Sequence, residues 1–123
     1  MPEPTLIIDD DPGFNAILVR TLERRGFPAR GALGAGDALM LAREIVPNRV
    51  VLDLNLNGSS GLALIPELLA INADCRIVVL TGYASIATAV DAIKLGAVQY
   101  LAKPVEIEAI LAAFENDDAP DFD

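Results

Sequence analysis

Four short apolar stretches of this sequence each end at acidic, basic or hydroxylic side chains. The side chains are those of Asp9, Asp10 and Asp11 after the first stretch, Asp53 after the second, Thr81 after the third and Lys103 after the fourth. In an open α/β sheet, ligands bind where the carboxyl ends of the strands meet. We therefore expect these side chains to lie at one edge of a sheet and to form a single site.

The charge of this group indicates the chemistry that it could perform. Three carboxylates about 5 Å apart repel one another by roughly 3 kcal/mol per pair at an effective dielectric of about 20. A divalent cation would offset that repulsion, and oxygen ligands without histidine favour Mg²⁺, with Mn²⁺ as the alternative, over Zn²⁺. With the cation, the ammonium of Lys103 and the hydroxyl of Thr81 beside it, a carboxylate can accept a phosphoryl group.

The elements that must position these groups alternate along the chain. Strands buried in a parallel sheet are predicted over residues 5–8, 29–33, 49–52, 76–80 and 98–102. The second is the weakest prediction, because Gly31 lies inside it. A helical pattern follows each strand, and five such βα units predict a parallel sheet with helices on both faces and right-handed crossovers.

Apolar residues at helical spacing define one face of each predicted helix. These faces comprise Phe14, Ile17, Leu18, Thr21 and Leu22; Ala38, Leu39, Leu41, Ala42 and Ile45; Leu62, Leu64, Ile65, Leu68 and Leu69; Ile86, Val90, Ile93, Lys94 and Leu95; and Ile107, Ile110, Leu111 and Phe114. We expect Gly26 to end the first helix and Pro66 to kink or loosen the third. Ser85 is the expected N-cap of the fourth.

The composition is that of a folded domain and excludes several classes of site. The chain has 123 residues, of which 53% are hydrophobic, with one cysteine and no histidine. An internal disulfide, a histidine-ligated metal and a Ser-His catalytic pair are therefore excluded. No apolar run approaches the roughly 20 residues that span a membrane, and residues 1–8 do not resemble a signal peptide. We expect a cytoplasmic protein without membrane contact, whose lone thiol, Cys75, is packing rather than a redox sensor.

The net charge of −9 is unevenly distributed. The acidic triplet and five acids within residues 115–123 account for most of it, while the remaining ten acids and nine bases nearly cancel. No basic stripe is present, so we expect no direct nucleic-acid binding by this chain. Residues 115–123 are expected to form a flexible acidic tail.

Four segments together resemble the receiver domain of two-component response regulators. They are LIIDDDP, VVLDLNLNGSSGL, VVLTGY and YLAKP, and the resemblance covers about residues 4–114. It implies a flavodoxin-like α/β fold, a doubly wound (βα)5 parallel sheet with strand order 2-1-3-4-5. Within that family, TGYASIATAVDAIKLGAVQYLAKP and ERRGF are similar to the RegA/PrrA/ActR type of redox-responsive regulators.

The resemblance implies a role for each matching residue. For the cation and the transfer, the implied residues are Asp9 and Asp10 as Mg²⁺ ligands, Asp53 as ligand and phosphoacceptor, Asn55 as ligand through its backbone carbonyl, and Thr81 and Lys103 as contacts of the phosphoryl group. Thr81 and Tyr100 are the implied conformational switch, and the Lys103–Pro104 peptide bond is expected to be cis.

The resemblance also implies partners. A sensor histidine kinase or a histidine phosphotransfer protein donates the phosphoryl group, and the modified domain regulates an output, in this type transcription through a DNA-binding domain. It implies no enzyme activity beyond self-catalysed transfer and dephosphorylation at Asp53. A homodimer through the face of the fourth helix, fifth strand and fifth helix is expected, while a stand-alone receiver acting by protein–protein contact remains the alternative.

Two unrelated classes share part of this pattern. A haloacid-dehalogenase-like phosphatase needs a second aspartate two residues after its nucleophile, where this chain has Asn55. A flavodoxin-like FMN binder needs a hydroxyl- and glycine-rich loop after the first strand, where this chain has three acids. One departure from the receiver pattern is Asn57, where the family often has proline; Gly61 falls where the family has glycine, so we expect an altered loop with the chemistry intact. Residues 58–61 resemble a phosphate-binding loop but lack its lysine, so we interpret them as an ordinary loop.

Overall fold

The structure, a computed structural model, describes residues 4–82 and 86–115, except for the side chains of Ser59 and Ile86. Its strands are β1 (Thr5–Ile8), β2 (Ala29–Ala32), β3 (Arg49–Asp53), β4 (Asn55–Leu56), β5 (Ser59–Ser60), β6 (Arg76–Thr81) and β7 (Gln99–Ala102). Its helices are α1 (Pro12–Arg24), α2 (Ala35–Ile45), α3 (Leu64–Ile71), α4 (Ile86–Leu95) and α5 (Ile107–Glu115), with a 3₁₀ turn over Gly61–Ala63 before α3. The predicted Ser85 cap lies outside the described residues.

Five strands form one parallel sheet in the order β2-β1-β3-β6-β7. Counting only these strands along the chain, the order is 2-1-3-4-5, so the predicted flavodoxin-like α/β fold is confirmed. The alternation of side chains along β1 divides the interior, because Leu6 and Ile8 face one side of the sheet and Ile7 the other. Leu6 and Ile8 pack with residues of α2, α3 and α4, and Ile7 packs with residues of α1 and α5.

The face of α1 differs from the predicted one. Ile17 is 61% exposed, whereas the polar Asn15 is buried, as are Leu18 and Leu22 of the same helix. The reason is that Asn15 can satisfy its amide on the carbonyls at the strand ends, as described below, so burial costs it no hydrogen bond. The helix ends at Arg24, and Gly26 follows with a φ of 89°, the left-handed conformation expected of a glycine stop.

Contrary to the expectation, Pro66 does not kink or loosen a continuous helix. The chain makes the 3₁₀ turn first, and α3 begins at Leu64. Pro66 therefore lies in the first turn of α3, where backbone N–H groups have no intrahelical acceptor and a missing N–H removes no helical bond.

The segment after β3 is a small hairpin rather than the expected loop. β4 and β5 pair antiparallel, with Asn55 opposite Ser60. Its two turn residues have positive φ values, 53° for Asn57 and 84° for Gly58. An Asn-Gly pair in this conformation is the favoured two-residue hairpin turn. The Asn57-Gly58 dipeptide is therefore the sequence feature that could have predicted the hairpin.

Candidate functional site

The residues predicted to act together do meet at one edge of the sheet. Asp9 follows β1, Asp53 and Thr81 are the last residues of β3 and β6, and Lys103 follows β7. They border an open cleft of about 440 Å³, whose lining comprises Asp10, Asp53, Leu54, Asn55, Gly58, Ser60, Thr81, Gly82, Thr88 and Lys103. Thr88, from α4, is a lining residue that the sequence pattern did not indicate.

Three carboxylates form the acidic part of the site. One oxygen from each of Asp9, Asp10 and Asp53 lies within 4.8 Å of the others. Asp9 and Asp53 are buried, with 1% and 5% of their surfaces exposed, whereas Asp10 is half-buried. A cluster of oxygen ligands with this spacing and charge fits a hard divalent cation. Asp11 is outside the cluster, because its side chain caps α1 by accepting hydrogen bonds from the N–H groups of Gly13 and Phe14.

Lys103 neutralises the two buried carboxylates. Its Nζ atom donates to Asp9 Oδ2 at 2.8 Å and to Asp53 Oδ2 at 3.1 Å. Burial lowers the pKa of Lys103, but the hydrogen bonds to Asp9 and Asp53 and the charge attraction of both carboxylates together outweigh it, and the pKa is raised overall. The ammonium also lies 4.7 Å from the centre of the Phe14 ring, whose face attracts a cation. The Lys103–Pro104 peptide bond is cis, as the resemblance implies.

The carboxyl of Asp53 is tuned by opposing effects. Burial raises its pKa, while a hydrogen bond from the N–H of Asn55 to Oδ1 and the contact with Lys103 lower it; the net direction is upward. The Asn55 donor lies 3.0 Å from that oxygen. One oxygen of Asp53 thus accepts from backbone and the other from an ammonium, so the carboxylate is fixed in orientation at the wall of the cleft.

The hairpin ties the end of β3 to the end of β1. The side-chain oxygen of Asn55 accepts a hydrogen bond from the N–H of Gly58 at 3.1 Å. At the turn, the N–H of Asn57 donates to Asp10 Oδ2 at 2.9 Å. At the other end of the hairpin, Gly61 packs closely against the backbone of β3. A Cβ atom at this position would lie 2.5 Å from the carbonyl oxygen of Asp53, so only glycine fits.

Asn15 is a residue of the site's scaffold that the sequence analysis missed. Its Nδ2 atom donates to the carbonyls of Ala32 at 2.9 Å, Asp9 at 3.0 Å and Ile7 at 3.4 Å. The amide joins α1 to the ends of β1 and β2 and holds the backbone of Asp9. A polar residue at a helical core position was the available signal.

Thr81 and Tyr100 lie on neighbouring strands. Thr81 is partly exposed at the cleft and pairs with Ala102 of β7. Tyr100 is partly buried against the core on the side of α2, α3 and α4. The structure thus places Thr81 at the cleft and Tyr100 on the adjacent strand.

The comparisons with known proteins agree with this geometry. The response regulator receiver domain family matches residues 5–115. The chain belongs to that family. This assignment overrules the phosphatase and flavin-binding alternatives.

The receiver domain is similar to regulators of the expected type. It is 45% identical over 108 residues to the acid tolerance regulatory protein ActR of Rhizobium meliloti, covering 88% of this chain and 56% of ActR. It is 41% identical over 108 residues to the photosynthetic apparatus regulatory protein RegA of Cereibacter sphaeroides, covering 88% of this chain and 59% of RegA. The chain therefore spans little more than half the length of these relatives.

Solved structures share the fold. A response regulator of Burkholderia pseudomallei, solved with a phosphorylated aspartic acid, a calcium ion and citrate, superposes with a TM-score of 0.88 at 50% identity, covering 91% of this chain and 66% of that one. A CheY-like receiver domain of Methanospirillum hungatei superposes with a TM-score of 0.87 at 26% identity, covering 94% and 92%. Over residues 4–82 and 86–115 of the present receiver domain, each helix falls short of the length and hydrophobicity that a transmembrane span requires.

Proposed function

We propose that Asp53 accepts a phosphoryl group from a sensor histidine kinase or a histidine phosphotransfer protein, with Mg²⁺ bound by Asp9, Asp10, Asp53 and the backbone carbonyl of Asn55. The observation that carries the proposal is the position of Asp53, which borders the cleft with one carboxylate oxygen on a backbone N–H and the other on Lys103. Mn²⁺ fits the same oxygen ligands.

The transfer follows from these contacts. A carboxylate oxygen of Asp53 forms a bond to phosphorus, the P–N bond of the donor's phosphohistidine breaks, and the imidazole nitrogen leaves with the electron pair. Lys103 and the hydroxyl of Thr81 offer donors to the transferring oxygens. The bound cation supplies further neutralisation of the phosphoryl charge. Hydrolysis of the acyl phosphate by water restores the carboxylate, and we propose no enzyme activity on other substrates.

We infer that the modified receiver acts through a switch. A phosphoryl group on Asp53 draws Thr81 toward it and lets Tyr100 turn inward, which changes the surface of α4, β7 and α5. That surface, including Asp91, Lys94 and Gln99, is the proposed site of homodimer or partner contact; Ala84, also expected to change, lies outside the described residues. The similarity to ActR and RegA supports transcriptional output through a DNA-binding domain, with protein–protein action of a stand-alone receiver as the alternative.

The proposed domain covers residues 4–114, followed by an acidic tail at residues 115–123, most of which lies outside the described residues. We place its action in the cytoplasm, where response regulators typically act. Lys94 is the only base among the proposed contact residues, which gives no basic patch for nucleic acid.

Intact-mass measurement tests the phosphoacceptor. Incubation with acetyl phosphate and Mg²⁺ is expected to add one phosphoryl group to the wild type and none to Asp53→Asn. Asp74→Asn, which removes an exposed carboxylate before β6, is the matched control and is expected to gain the group normally. An equal gain in Asp53→Asn would overturn the assignment of the acceptor.

A further inference from the structure

The β4–β5 hairpin contacts the acidic cluster at one atom pair. The N–H of Asn57 points at Oδ2 of Asp10, with 2.9 Å between nitrogen and oxygen. Both turn residues have positive φ values, and this local shape directs the amide across the cleft edge toward the end of β1. The contact joins residues 47 positions apart, so it depends on the tertiary fold.

Asp10 differs from the other two carboxylates of the cluster. Asp9 and Asp53 are buried and are held by Lys103. Asp10 is half-buried, and its carboxylate accepts a hydrogen bond from the hairpin, whereas Lys103 donates to Asp9 and Asp53. Without the hairpin, its side chain would be free to rotate toward solvent, and binding a cation would first have to order it.

We propose that the backbone N–H of Asn57 positions Asp10 for the divalent cation and thereby sets the cation affinity of the site. The proposal rests on the cation site of the proposed function. A hydrogen bond from N–H to a carboxylate is charge-assisted and directional. It fixes Oδ2 of a carboxylate that has an oxygen within 4.8 Å of oxygens of Asp9 and Asp53. Asn57 is a positioning residue, and the group that acts is its main-chain amide.

This role explains the residue type at position 57. Proline, which the family often has here, carries no N–H and has a φ near −65°. It could neither donate to Asp10 nor adopt the φ of 53° found at Asn57. Asparagine adopts positive φ more readily than most residues, and the following glycine does so without strain.

Calorimetric titration of the full chain with Mg²⁺ alone tests the proposal. Asn57→Pro is expected to raise the dissociation constant for Mg²⁺ about tenfold, which corresponds to the loss of one hydrogen bond to a charged group. An ester in place of the Leu56–Asn57 amide removes the donor without changing any side chain and is expected to weaken binding similarly, which covers the case in which the proline variant fails to fold. Asn57→Gly keeps both the donor and the turn and is expected to bind within about twofold of the wild type.

The outcomes separate this proposal from the function on which it rests. Wild-type affinity in the ester variant would overturn the positioning role while leaving the cation site intact. Loss of affinity in Asn57→Gly equal to that of the ester would also overturn it, since the side chain would then be responsible. A wild type that does not bind Mg²⁺ would overturn the cation site and the positioning role together.

Discussion

A Cβ atom on residue 31 would lie 2.1 Å from Oδ1 of Asn15. Glycine is therefore required in β2 because the amide of Asn15 occupies the space beside it. The same amide donates to the carbonyls of Ile7 in β1, Asp9 directly after it and Ala32 in β2. Gly31 made β2 the weakest of the predicted strands. In the structure, the absence of a side chain at Gly31 leaves room for the amide of Asn15.

Gly31→Ala is expected to lower the free energy of unfolding by about 2 kcal/mol, because the new methyl group displaces Asn15 from its acceptors. Asn15→Ala alone is expected to cost a similar amount. The double variant is expected to be no less stable than Asn15→Ala, since the clash is gone. Urea unfolding of the four proteins measures the cycle, and simple additivity of the two losses would argue against this contact.

Mg²⁺ is expected to raise the melting temperature, because it binds the folded cluster and not the unfolded chain. Asp10→Asn is expected to raise the melting temperature of the cation-free protein by a few degrees through lower repulsion, and to remove most of the response to Mg²⁺. Asp11→Asn is the matched control, since it removes a neighbouring charge but keeps an N-cap oxygen. A response to Mg²⁺ that survives in Asp10→Asn and disappears in Asp11→Asn would contradict the ligand assignment.

Asp53→Asn is expected to stabilise the cation-free protein at neutral pH. Burial raises the pKa of Asp53 in the folded state, so ionisation above the ordinary value of about 3.9 destabilises the native protein. The gain of the variant should therefore shrink as the pH falls through the raised pKa and vanish below about 3.9. Urea unfolding in EDTA across this range, with Asp74→Asn as the control, measures it. A gain independent of pH would show that charge is not its cause.

Cys75 is expected to resist thiol reagents while the protein is folded. Burial raises the pKa of its thiol to about 12, which leaves roughly one thiol in ten thousand ionised at pH 8. Reaction with an aromatic disulfide, followed by absorbance, should be slow in buffer and fast in urea. Rapid labelling of the native protein would contradict the interpretation of Cys75 as packing.

Beryllofluoride with Mg²⁺ is expected to shift the receiver toward a dimer and to change amide exchange between residues 81 and 103. The physical basis is a two-state surface biased by a phosphoryl mimic at Asp53. Light scattering measures the association, and Asp53→Asn is the variant that should not respond. Unchanged mass and exchange in a protein that carries the mimic would mean that a partner senses the phosphoryl group at the cleft itself.

The sequence was sufficient for the fold and for the prediction that Asp9, Asp53, Thr81 and Lys103 meet at one edge of the sheet. Buried parallel strands are short apolar runs, and their ends are visible because charged residues follow them directly, as at Asp9 and Asp53. Since the carboxyl ends of parallel strands share one edge, the sequence also predicted that Lys103 would join these acids. This inference needs only local patterns and a rule of topology.

Only the tertiary structure decided the contacts that orient these groups. The contact between Asp10 and Asn57 forms because the hairpin turn lies across the sheet edge from the end of β1. The spacing of residues along the chain does not predict such a contact. Asn15 is a second contact that the sequence pattern did not predict. Helical periodicity favoured Ile17 for the core, but Ile17 is exposed. Asn15 is buried instead, because its amide can donate to carbonyls at the ends of β1 and β2. Periodicity reports where apolar surface is needed, whereas the burial of a polar group depends on acceptors supplied by other segments.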